Sequence, residues 1–203
     1  VQIQEVVSPG GITAWLVQEP SIPFTALELR FRGGASLDDP DTRGAINLMT
    51  GLLEEGAADL DARAFARTLE GLAASLDYDV GPDSLSVSAR FLTENRDEAV
   101  ALLRASLIEP RFDQDAIDRV REQALTGLRS DAKDPGKIAR ETCNKMAFGD
   151  HPYGSNYRGT LESVAALTRE DIVAAHGKVL ARDRLYVGAV GDITPKELAS
   201  LLD

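Results

Sequence analysis

Side chains able to bind a metal or act as a nucleophile are scarce here, and their spacing decides which chemistry is open. The chain has two histidines, His151 and His176, and one cysteine, Cys143. Catalytic zinc needs imidazoles about 2.0–2.1 Å from the ion and a carboxylate to take a proton from the metal-bound water. The two histidines lie far apart, with no second ligand one helical turn from either. His151 precedes Pro152-Tyr153-Gly154, where a structural hydrogen bond is expected, and His176 falls near a helix C-terminus, facing the negative end of the dipole. Cys143 sits in a helical pattern beside Met146 and Ala147 and reads as a buried, inert thiol. With one cysteine no disulfide can form within the chain. Ser36, Ser75 and Ser163 lack a G-x-S-x-G context, and no glycine-rich segment has the G-x-x-x-x-G-K-S/T phosphate pattern. Asp38-Asp39 and Glu54-Glu55 could attract a hard cation, but solvated carboxylates at loops and helix ends are the commoner meaning of such pairs.

The chain has 203 residues, 43% hydrophobic and 27% charged, which suits one folded domain with a sizeable core. A formal charge of −11 makes nucleic acid a poor partner. No apolar run is long enough to span a bilayer and no signal-peptide core is visible. The first residue is Val1, which fits a trimmed product, and the compartment stays open: periplasm or export and cytoplasm are both compatible.

Alternation marks the strands. Leu27, Leu29 and Phe31 oppose Glu28, Arg30 and Arg32, while Leu76, Tyr78 and Val80 oppose Asp77 and Asp79. Leu85, Val87, Ala89 and Phe91 follow after Gly81-Pro82-Asp83-Ser84, a hairpin connection. Ile12 to Val17 and Leu185 to Val190 read as more buried strands, and Val1 to Val7 as an edge strand. Helices are expected at 61–72 (stripe Ala62, Phe65, Leu69, Leu72), from Asn95 with Glu98 completing a capping box, and at 113–129 (Ile117, Val120, Ala124, Leu128). Others follow at 137–148, 168–180 and 194–202, the last with Thr194 as N-cap, Pro195 and Glu197. This order predicts an α+β fold: a mostly antiparallel sheet of about five to six strands with helices on one face.

One further helix, from Thr42 to about Leu53, carries the informative segment. Phe31 to Gly56 reads FRGGASLDDPDTRGAINLMTGLLEEG, a strand ending in Gly33-Gly34-Ala35-Ser36, then Asp38-Asp39, then Gly44. Asp134-Pro135, His151-Pro152-Tyr153-Gly154 with Gly159, and Val187-Gly188-Ala189-Val190-Gly191-Asp192-Ile193-Thr194 follow in order. Together these segments resemble the first domain of the pitrilysin/insulinase-type zinc peptidases, whose inverted motif is H-x-x-E-H. The resemblance covers nearly the whole chain and implies one domain over residues 1–203, the first of two related tandem domains, the second absent from this chain.

The departure lies on the motif itself. Ala45, Leu48, Met49 and Leu52 form the core stripe, opposite Asn47, Thr50, Gly51 and Glu54. With Gly44 matched to the family's glycine, Asn47 stands at the first histidine, Thr50 at the catalytic glutamate and Gly51 at the second histidine. The resemblance puts the third ligand, a glutamate, near Thr126 to Leu128, and no glutamate occurs between Gln123 and Arg140. A neutral amide is a poor zinc ligand, a threonine hydroxyl has no basic form near neutral pH, and glycine offers nothing. No catalytic and no metal-binding residues are therefore assigned, and no cofactor is expected, zinc belonging to a catalytic partner subunit.

What the resemblance implies is a noncatalytic homologue, similar to the motif-less subunit of mitochondrial processing peptidase and of bacterial two-subunit enzymes. Its expected partners are a zinc-bearing homologous subunit and a peptide or unfolded polypeptide, held partly by strand addition to a sheet edge. Two other readings stay open: a purely structural assembly subunit like the core subunits of respiratory complexes, and an active metallopeptidase with unusual ligands.

Overall fold

The structure is a computed structural model and describes residues 2–203. In chain order it runs β1 (Gln4–Val7), β2 (Thr13–Gln18), β3 (Phe24–Arg32), α1 (Ala45–Thr50), β4 (Gly56–Ala57), β5 (Leu60–Asp61) and α2 (Ala62–Gly71). The hairpin β6 (Ser75–Val80) and β7 (Ser84–Leu92) leads to α3 (Arg96–Ile108), α4 (Gln114–Asp131), α5 (Pro135–Phe148), α6 (Leu161–Ala166) and α7 (Arg169–Val179). β8 (Leu185–Gly191) and α8 (Pro195–Leu201) close the order. Six strands form one sheet in the order β1-β2-β8-β3-β7-β6, and only β2 with β8 is parallel. The fold is α+β, as the alternation predicts.

Inward residues meet in register across the sheet. Leu27 faces Ala89, Leu29 faces Val87 and Phe31 faces Leu85, and all six are buried. Each large side chain of this kind stabilises the fold by about 1.5–3 kcal/mol when fully buried. Ile46, Leu48 and Met49 of α1 complete this core from the helical side.

The edge strand at the chain's start is present as β1, paired only with β2; Val1 itself lies outside the described residues. β2 and β8 are not the more buried strands the sequence suggests. Trp15 and Tyr186 are each 46% exposed and stack at 6.3 Å on the open face, because helices cover only the other side.

Four local expectations also change. The helix expected from Thr42 starts at Ala45: Thr42 belongs to a 3-10 turn, and Gly44 takes φ +99°. There the Asp38 carboxylate accepts hydrogen bonds from Gly44 N (2.8 Å) and Ile46 N (3.0 Å), capping α1 from the segment that leads into it. The capping box at Asn95 does not form, since its amide Nδ2 donates to Leu72 O (2.9 Å) and ties α3 to the end of α2. Cys143 is exposed rather than buried, because α5 buries none of its residues and Met146 beside it is 82% exposed. His176 does lie in the last turn of α7, but the partner its ring finds is Leu107 O on α3, 2.8 Å from Nε2, and burial pushes its pKa down. The short α6, with a Thr160/Ser163 capping box, and the β4–β5 ladder were not anticipated.

Candidate functional site

Two of the four sequence segments, the Gly-Gly turn and the His151 loop, meet in space. Gly33 N donates to Asp83 O (2.6 Å) and Ala35 N to Gly81 O (3.0 Å), docking the Gly-Gly turn onto the β6–β7 hairpin. Gly34 has φ +42°, and a Cβ there would sit 2.3 Å from Gly81 O, so this approach requires glycine. The buried Arg43 guanidinium donates to Ala35 O (2.5 Å) and Pro152 O (2.7 Å), joining that turn to the His151 loop. The loop is fixed from its own side by Tyr153 Oη donating to Asp83 (2.6 Å) and by His151 Nδ1 accepting from Tyr153 N (3.2 Å). His151 thus makes the structural hydrogen bond expected of it. Asp134 caps α5, accepting from Gly136 N (2.7 Å) and Lys137 N (3.1 Å) ahead of Pro135 at the first turn.

Within this frame α1 presents Asn47, Thr50 and Gly51 to a cavity of about 460 Å³. Its other walls are Tyr78, Asp79 and Val80 of β6, Val120, Gln123 and Ala124 of α4, and Tyr157 with Arg158 from the loop before α6. Thr50 is buried, and its hydroxyl donates to Ile46 O at 2.7 Å, one turn back on the helix. Gly51 lets α4 come close: a Cβ would lie 3.2 Å from Val120 Cγ1.

The stretch Thr126 to Leu128, where the resemblance puts a third ligand, divides by side. Leu128 is buried in a small cluster with Leu125 and Val164, whereas Gly127 faces Arg158. A Cβ on Gly127 would fall 2.6 Å from Arg158 Nη2, so the guanidinium occupies the space a side chain there would need. Arg158 Nη1 donates to Asp131 Oδ2 at 2.7 Å, one turn further along α4.

This donor set does not fit a zinc ion. The cavity offers two amides, a hydroxyl already committed to the backbone, two phenols, a single carboxylate (Asp79), and a guanidinium, which carries no lone pair for a metal. Neither histidine lines it, and among the described residues no three His, Cys, Asp or Glu side chains gather as a metal cluster. Asp38-Asp39 and Glu54-Glu55 do not gather there either. Asp38 caps α1, Asp39 pairs with Lys178 at 2.9 Å, and Glu55 pairs with Arg119. Glu54 is pushed up by partial burial first and then by the Glu55 and Asp77 charges. The Tyr78 phenol is pushed up to about 12, chiefly by burial and also by Glu54, and its oxygen lies 2.5 Å from Ser106 Oγ. The cavity therefore contains no imidazole or thiol, and its one carboxylate, Asp79, has no second metal-ligating side chain beside it.

Gln123, Tyr157 and Arg158 are the site residues that sequence reasoning passed over. The one local sign of Arg158 is a cation directly before Gly159 in the His151 loop; its link to Gly127 and Asp131 exists only in three dimensions.

The sequence profile of Insulinase (Peptidase family M16) matches residues 13–161, and the chain belongs to that family. A Helicobacter pylori protein named "Non-peptidase homolog YmxG" is 33% identical over 172 residues, covering 85% of this chain and 40% of that relative. A probable mitochondrial-processing peptidase subunit beta from Schizosaccharomyces pombe is 21% identical, over 95% of this chain and 42% of its own length. The crystal structure of a peptidase M16 inactive domain from Pseudomonas fluorescens superposes with a TM-score of 0.93 at 28% identity, covering 99% of this chain and 49% of that one. Pitrilysin, at 18% identity and a TM-score of 0.83, shares the fold. The chain spans less than half the length of each of these proteins. No helix among the described residues is long and apolar enough to cross a membrane.

Proposed function

We propose that this chain is a noncatalytic domain of a two-subunit peptidase, which helps to wall a peptide chamber while a zinc-bearing homologous subunit performs the hydrolysis. What supports the reading is the family's fold around a cavity lined by Asn47, Thr50 and Gly51, the positions at which the resemblance expects two imidazoles and a carboxylate. The names "non-peptidase homolog" and "inactive domain" borne by two similar proteins support it. In this reading residues 1–203 are the first of two related domains.

In this reading a peptide sits beside the cavity. Among the described residues β6 ends the sheet and pairs only with β7, so its outer backbone groups can take an added strand. That mode needs main-chain donors and acceptors rather than a metal, so it survives the loss of zinc. The test is to mix the purified chain with a zinc-bearing homologue from the same organism and follow co-elution and cleavage of oxidised insulin B chain. The reading expects a stable complex whose activity exceeds that of either component. Two components that elute apart, with unchanged activity, contradict it.

A further inference from the structure

The cavity is polar in a particular way. Asn47 and Gln123 bring side-chain amides from two different helices, each with a donor and an acceptor, and neither amide has a hydrogen-bond partner among the described residues. Arg158 spends only Nη1, on Asp131, leaving Nε and Nη2 without partners among the described residues. Gly127 is the reason this guanidinium can lie against α4 at all. Asp131 already balances its charge, so the cavity suits neutral polar groups rather than a free anion, and Asp79 on the rim adds to that preference.

A strand added to β6 would lie about 4.7–4.9 Å outside it, along the mouth that Tyr78, Asp79 and Val80 form. Its outer main-chain carbonyl and amide groups would then face away from β6 and lack partners. We propose, resting on the peptide-binding reading above, that Asn47, Gln123 and Arg158 form a clamp for those peptide groups. Arg158 is the principal member, a fixed cation that takes a backbone carbonyl oxygen where active relatives would hold a metal ion. The ligand class is an extended, uncharged stretch of polypeptide, recognised through its backbone.

Binding of a fluorescein-labelled decapeptide of uncharged residues (Ser, Thr, Gln and Val), followed by anisotropy, tests the clamp with three variants. Arg158→Gln weakens binding about tenfold, the usual scale for a hydrogen bond to a charged group. Arg158→Lys, which keeps the charge but loses the fork, recovers part of it. Asp131→Asn frees Nη1 and leaves the affinity unchanged or raised, although it breaks the same ion pair. If the pair is merely structural, Arg158→Gln and Asp131→Asn lose affinity and thermal stability together, and the clamp is overturned. Wild-type binding that Arg158→Gln leaves untouched also overturns the clamp but spares the strand-addition reading. No binding by the wild-type chain removes both.

Discussion

At the residue scale, replacements around the cavity are matched to one another. Thr50 turns its hydroxyl back onto Ile46 O, Gly51 admits Val120, and Gly127 admits Arg158. Opposing effects decide what Gly127→Ala should do. A methyl displaces the Arg158 guanidinium and disturbs a partly exposed ion pair worth up to about 1 kcal/mol. Alanine inside α4 returns about 1 kcal/mol of helix propensity. The expected change in unfolding free energy is within about 1 kcal/mol of zero, measured by urea denaturation. Gly34→Ala is the contrast, because its Cβ meets a carbonyl oxygen of the backbone and its φ is positive. That variant should lose about 2 kcal/mol or more, and a wild-type denaturation midpoint would contradict the docking role given to the Gly-Gly turn. Asn47, Thr50 and Gly51 could be placed at the site from sequence because a single helix carries them. Gln123 and Arg158 could not, since no spacing rule links a helix, a loop and Gly127 across separate segments.

At the element scale, the helices divide into those whose stripe is buried and one whose stripe is not. Ile117, Val120 and Leu128 of α4 pack as their periodicity predicts. In α5, Ile138 and Met146 are exposed although they share a helical face, so Ile138→Lys with Met146→Lys should shift stability by no more than about 0.5 kcal/mol. A large loss on thermal melting would show that α5 contributes to the core. Periodicity reports that a face is apolar, not that the chain itself covers it, and the misreading of Cys143 has this cause. Caps behave likewise. Thr194 and Glu197 satisfy each other on α8, whereas Asn95 finds a nearer acceptor in Leu72 O. Thr194→Ala should cost about 1 kcal/mol. The Glu197 carboxyl is held at about 2, first by hydrogen bonds from Thr194 and then by Arg96. A depressed acid stabilises the fold above its ordinary value of 4.5 and loses that contribution as pH falls toward about 2. The side chain is 43% exposed, so screening holds the effect to about 1 kcal/mol or less. Denaturation of Glu197→Gln against wild type should show a gap at pH 7 that closes over that window.

For the whole molecule, one covered and one open sheet face set the behaviour in solution. Trp15, the single tryptophan, lies on the open face beside Tyr186, so its fluorescence should be readily quenched by acrylamide in the folded chain. Protection from quencher in the isolated chain would mean that this face is covered. The sequence disguised the exposure because Ala14 to Val17 are all apolar and read as one buried run, though they alternate between the two sides. The α+β class and the antiparallel hairpin were legible, since alternation in β3, β6 and β7 is written in charged and apolar residues. The parallel contact between β2 and β8 joins the two ends of the chain, and nothing local encodes it.

The central claim is chemical: the cavity beside β6 lacks the imidazoles, and the set of ligands around one point, that bind zinc and activate water. Its most direct test is one preparation of the purified chain, loaded with excess Zn²⁺, dialysed, and assayed for bound metal and for cleavage of oxidised insulin B chain. The account predicts no stoichiometric zinc and no cleavage. One zinc per chain together with hydrolysis, both abolished by Asn47→Ala, would contradict it.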